Sequence, residues 1–96
     1  MSVIRMTRFV VQPADVELML DRRADLISAV RAAYPGLTEA RLARLDDQTW
    51  IDMWCWDSAA SVQTALAGAP ALPEAAPAFS LTRDATAEQA DIVDER

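Results

Sequence analysis

The chain has 96 residues, 52% of them hydrophobic, and a net charge of −6; all nine of its basic residues are arginines. That length holds one domain, residues 1–96, with one core, and that apolar content argues against disorder. The acidic balance disfavours nucleic acid and anionic membranes, both of which need a basic face.

Absent residue types narrow the chemistry further. Without histidine the chain offers no His-based triad, no His general base and no His-ligated haem or zinc. Without lysine it offers no Schiff-base nucleophile and no P-loop lysine. A single cysteine, Cys55, forms neither an internal disulfide nor a thiolate cluster. Beside Met53 in an apolar run it reads as a small buried hydrophobe. The N-terminal run carries Arg5 and Arg8, so neither a signal peptide nor a spanning segment is expected, and the expected setting is cytoplasmic.

In chain order, Val3–Val11 alternates as a strand, with Val3, Arg5, Thr7 and Phe9 on one face and Ile4, Met6, Arg8 and Val10 on the other. Pro13 breaks it, and Asp15 is expected to cap a helix running to about Ala33. Val16, Met19, Leu20, Arg23, Leu26, Ile27 and Val30 fall on that helix's apolar stripe. Tyr34-Pro35-Gly36 stops it, with glycine expected to relieve the C-terminal geometry. Leu37–Leu45 reads as a second strand. Asp46-Asp47-Gln48 turns into a third, Thr49–Trp56, T-W-I-D-M-W-C-W.

That third strand holds all three tryptophans. Trp50, Asp52, Trp54 and Trp56 share one face; Thr49, Ile51, Met53 and Cys55 share the other. Both faces are bulky, so the strand is expected to be buried on two sides. With an even-length hairpin loop, Arg41 and Glu39 stand beside Asp52 and Trp54; an odd-length loop or a bulge swaps the faces. Asp57-Ser58 then caps a helix over Ala59–Ala67, ended by Gly68-Ala69-Pro70. Pro73 is placed at the start of another short helix that carries Phe79 and Leu81 into the core. A last strand runs from about Arg83 to Val93.

The order β-α-β-β-α-β predicts an α+β, ferredoxin-like fold: a four-stranded antiparallel sheet with helices on one face. The crossover rule is taken to set the first and third strands side by side and parallel.

Several segments together resemble the antibiotic biosynthesis monooxygenase (ABM) domain of the dimeric α/β-barrel superfamily. They are R-F-V-V-Q-P-A-D, the hairpin L-A-R-L-D-D-Q-T-W-I-D-M-W, W-D-S at Trp56–Ser58, and the closing A-E-Q-A-D-I-V-D-E. The resemblance implies a homodimer with sheets packed face to face, a pocket between sheet and helices in each subunit, and oxidation of aromatic polyketide phenols or anthrones by molecular oxygen with no flavin and no metal. By position, Trp56 matches the pocket tryptophan of a W-x-S motif. Thr7 stands where several active members carry asparagine. The haem-ligating histidine of a related branch is missing, which disfavours haem degradation.

Carried onto the residues, the pocket face is Trp50, Asp52, Trp54 and Trp56, joined by Arg5, Thr7 and Phe9 where the register of the neighbouring strand matches, and Ile4, Met6, Val10, Ile51, Met53 and Cys55 are the expected dimer face. The indoles are either an aromatic wall for a flat substrate or plain core. Arg5 and Arg41 are either donors that stabilise a substrate anion or structural partners of Asp52 or Glu39. Asp52 is either a general base toward a phenol or the neutralising partner of Arg41. Tyr34 is either at the pocket mouth or packed at the helix end, and the side of Gln89 is open. Two functions follow: a cofactor-independent monooxygenase with Trp56, Asp52 and Arg41 as its catalytic group, or a non-catalytic dimeric module that binds a small apolar ligand or regulates.

Overall fold

The computed structural model describes residues 1–96. Its strands are β1 (Val3–Val10), β2 (Leu37–Arg44), β3 (Thr49–Trp56) and β4 (Arg83–Asp91). Its helices are α1 (Val16–Ala33), α2 (Ala59–Gly68) and α3 (Ala75–Phe79). The strands form one sheet in the order β2-β3-β1-β4, antiparallel throughout. This is the α+β, ferredoxin-like arrangement. No helix is long and apolar enough to cross a membrane.

β1 and β3 are neighbours, as expected, but they are antiparallel rather than parallel. The reason is topological. α1 carries the chain back, so β2 runs in the direction of β1, and the hairpin then reverses β3 into the gap between them. The crossover rule governs β1-α1-β2, which skips one place in the sheet.

The apolar face of each element makes the core. Val3 and Trp56 from the sheet pack with Leu26, Ile27 and Val30 of α1 and Val62 of α2. A second cluster joins Phe9, Val11, Met19 and Trp50. All three helices therefore cover the same sheet face, the one carrying Val3, Phe9, Trp50 and Trp56. No element of the chain covers the opposite face.

Local chemistry differs from expectation at several ends. Asp15 closes a 3-10 turn over Pro13–Asp15, and its side chain caps nothing. Gly36 does follow the helix, but its φ is not positive. A Cβ there would sit 2.6 Å from Ser61 Oγ and 2.8 Å from Asp57 Oδ1, so glycine serves close approach rather than backbone reversal. Ser58 caps α2 as expected, its Oγ accepting from the Ser61 N–H at 3.1 Å. α3 starts two residues beyond Pro73. β4 ends at Asp91, leaving Val93 86% exposed.

The hairpin decides the site. Arg44 pairs with Trp50, so five residues lie between the paired ends. Asp46 Oδ1 accepts from the backbone N–H groups of Gln48 and Thr49 at 2.9 and 2.8 Å. Those two bonds favour the carboxylate and hold its pKa below the usual value. With an odd count, Leu42 pairs with Asp52 and Ala40 with Trp54, while Arg41 pairs with Met53 on the open face.

Candidate active site

Between the sheet and the helices lies a cavity of about 230 Å³. Thirteen of its nineteen lining residues are hydrophobic, so it is an apolar chamber with a few polar groups set in its wall. The register of the two central strands builds that wall. Thr7 is opposite Asp52, and Arg5 is opposite Trp54. Trp56, 3% exposed, closes one end. The rings of Trp54 and Trp56 are tilted by 35° with centroids 6.4 Å apart. The Trp56 indole Nε1 is buried without a hydrogen-bond partner.

Asp52 is neutralised by an arginine, but not by the one expected. Arg23 reaches down from α1 and donates twice to it, Nε to Oδ2 at 2.9 Å and Nη2 to Oδ1 at 2.9 Å. The side chains are 18% and 12% exposed. This is the two-pronged geometry that guanidinium and carboxylate favour. Arg41 instead pairs with Glu39, also on β2, in a contact that is 75% exposed at the arginine. It does not reach the cavity.

The mouth is set by α2 and α3. Leu66 and Phe79 line the cavity and are nevertheless 48% and 57% exposed, so they stand at its rim. Phe79 thus does not enter the core as expected, whereas Leu81 is half-buried against the second cluster. Arg22 Nη1 donates to the Pro77 carbonyl at 3.0 Å and so ties α3 to α1. At the far edge, β4 makes a bulge opposite Phe9, where Asp84 takes a left-handed backbone (φ 55°). Ala85 in that bulge joins the lining.

Of the residues singled out in the sequence, Arg5, Thr7, Phe9, Asp52, Trp54 and Trp56 come together around the cavity. Three do not. Arg41 is on the open face. Trp50 packs with Phe9, Val11 and Met19, with the Arg44 guanidinium 5.6 Å from its ring centre. Tyr34 caps the end of α1 and lies against Gly68, where an added Cβ would stand 1.9 Å from its hydroxyl. Gln89 pairs with Arg5, which puts it on the helix-side face, but it is exposed. Arg23 was visible only as a basic residue on an otherwise apolar stripe. Cys55 is half-buried on the open face. Burial, with the charges of Glu39 and Glu95 adding to it, pushes its thiol pKa up and disfavours the thiolate.

No family model and no curated sequence relative matches the chain. Solved structures do. SnoaB, a cofactor-independent oxygenase from Streptomyces nogalater, is 23% identical with a TM-score of 0.73, covering 98% of this chain and 95% of SnoaB. A Caulobacter crescentus protein predicted to be an antibiotic biosynthesis monooxygenase is 17% identical with a TM-score of 0.77, covering 97% and 91%. Rv0793 from Mycobacterium tuberculosis is 19% identical with a TM-score of 0.68, covering 99% and 98%. These superpositions establish the fold: the chain adopts the fold of the antibiotic biosynthesis monooxygenase structures.

Proposed function

We propose that this protein is a cofactor-independent monooxygenase that oxidises a fused-ring phenol or anthrone with molecular oxygen. The observation that carries the reading is the apolar, indole-walled cavity with an arginine-held carboxylate set in it, on the fold that SnoaB also has. A cavity of roughly 150 Å³ accepts one benzene ring. At about 230 Å³ this one takes on the order of two fused rings, with further rings extending through the mouth between Leu66 and Phe79.

The substrate supplies the electrons. Loss of a proton from the ring methylene or phenol gives a delocalised anion. That anion passes one electron to dioxygen, and the resulting radical pair forms a carbon–oxygen bond. The peroxide then loses water: the O–O bond breaks, the remaining C–H proton leaves, and a ring carbonyl is formed. One oxygen atom enters the product and the other leaves as water, with no external reductant. In this scheme Trp54 and Trp56 hold the ring plane and keep water out. Asp52, fixed by Arg23, is placed beside Thr7 to accept the substrate proton or to orient the hydroxyl that carries it. Phe9 fills the wall next to Thr7.

The uncovered sheet face belongs to the same proposal. Ile4, Met6, Val10, Ile51, Met53 and Cys55 are half-buried there, Met6 directly opposite Met53. A second copy packed on it would give a homodimer and remove the apolar surface from water.

The alternative, a non-catalytic binding module, is favoured by one observation: Thr7 occupies the position where the resemblance expects asparagine. Oxygen uptake by metal-free protein separates the two. With anthrones and naphthalenediols as substrates, uptake above the spontaneous rate, lowered in Trp56→Phe, supports the oxygenase. Saturable binding with no uptake by any of them favours the module.

A further inference from the structure

The cavity holds an excess of one positive charge, although the chain as a whole is strongly acidic. Its only ionisable lining residues are Arg5, Arg23 and Asp52. Arg23 and Asp52 neutralise each other through both prongs of the guanidinium. Arg5 is left over. It makes no ion pair, and its cross-strand neighbours are Trp54 on β3 and Gln89 on β4, neither of them acidic. The two acids diagonal to it are Asp52, engaged by Arg23, and the exposed Asp91. A guanidinium in the wall of an apolar chamber, with no acid to meet it, has its interaction capacity open toward whatever fills the chamber.

From this we infer that the ligand of the cavity is an aromatic carboxylate: a fused ring bearing a fixed negative group that is seated on Arg5. The inference rests on the cavity being a substrate pocket, as proposed above. It adds a recognition element that the oxidation itself does not require. A phenol or anthrone needs to ionise only at the moment of reaction, whereas a carboxylate is charged throughout and is anchored from the first encounter. Arg5, at one end of the Thr7–Asp52 pair, then fixes which ring faces the Arg23–Asp52 pair and which lies toward the mouth. Arg5 is thus a substrate-positioning and specificity-determining residue rather than part of the fold's framework. Removing it strands no acid, so its variants are expected to fold.

Isothermal titration calorimetry with 1-hydroxy-2-naphthoate and its methyl ester tests this. The two share ring and phenol and differ in the fixed charge. The carboxylate is expected to bind about tenfold or more tightly than the ester, the usual scale for a charge-assisted hydrogen bond. In Arg5→Gln that preference should fall to about twofold or less with ester affinity little changed, and Arg5→Lys should restore part of it. Arg31→Gln, the same charge change on the exposed face of α1, should leave the preference intact. Equal binding of acid and ester to the unaltered protein, or a preference that survives Arg5→Gln, overturns the inference while leaving the pocket in place. Binding of neither compound overturns the pocket reading and the inference with it.

Discussion

Removing Arg23 while keeping Asp52 should be among the most damaging single changes available in this chain. In the folded protein the Asp52 carboxylate is 12% exposed and accepts both of its hydrogen bonds from Arg23 at 2.9 Å. In Arg23→Met it would face an apolar chamber with its charge uncompensated, a situation that costs about 3 kcal/mol at the lower end of the range for broken buried pairs. For a domain of this size that is about 12 to 24 °C in Tm. Asp52→Leu should cost less, about 2 kcal/mol, because the long Arg23 side chain can carry its charge toward water and Asp52, rooted on a central strand, cannot. The double variant Arg23→Met/Asp52→Leu should recover most of the loss, since an apolar pair leaves nothing unpaired. The coupling energy from urea denaturation of all four proteins is then about 3 kcal/mol or more. The Glu39–Arg41 pair is the contrast. Arg41→Ala removes a solvent-exposed contact and should change stability by less than about 0.5 kcal/mol. Additive losses in the Arg23/Asp52 cycle, or an Arg41→Ala effect as large as that of Arg23→Met, would show that the buried pair is not what holds Asp52.

Further outcomes follow from other parts of the molecule. Gly68→Ala would ordinarily help a helix, but its Cβ would strike the Tyr34 hydroxyl, so thermal denaturation should show a net loss of about 1 kcal/mol, partly relieved by adding Tyr34→Phe. Light scattering should report a dimer at micromolar concentration and a monomer for Met6→Arg/Met53→Arg; a wild-type monomer would contradict the shared sheet face. Cys55 has a raised thiol pKa, so the thiolate appears only at a higher pH than in the unfolded chain. Alkylation at about pH 8 should therefore be slower in folded protein than in denaturant, and equal rates would show that the thiol is unprotected.

Period-two alternation placed Trp54, Asp52 and Trp56 on one face and Arg5, Thr7 and Phe9 beside them, because side-chain direction in a strand is a local property. The element order likewise implied the antiparallel four-stranded sheet. What depended on distant geometry was not legible. Whether Arg41 met Asp52 turned on one residue of loop length, and the five residues between Arg44 and Trp50 sent it to the opposite face. The true partner, Arg23, comes from a helix twenty-nine positions upstream, and its only local trace was a charge on an apolar stripe. Trp50 resembled the other two indoles in alternation. Its position near the start of β3, two residues before Asp52 and packed with Phe9, Val11 and Met19, put it in the second cluster instead of the cavity wall. The direction of β3 relative to β1 required tracing the whole crossover rather than applying a rule to two strands.

The most direct test of the account is to supply isotopically labelled dioxygen to metal-free protein with the substrate it turns over fastest, and to weigh the product by mass spectrometry. One labelled oxygen atom is expected in the product carbonyl and the other in water, with the rate lowered in Trp56→Phe. Product oxygen drawn from unlabelled water, or oxidation that begins only when a metal is added back to the protein, would contradict this expectation.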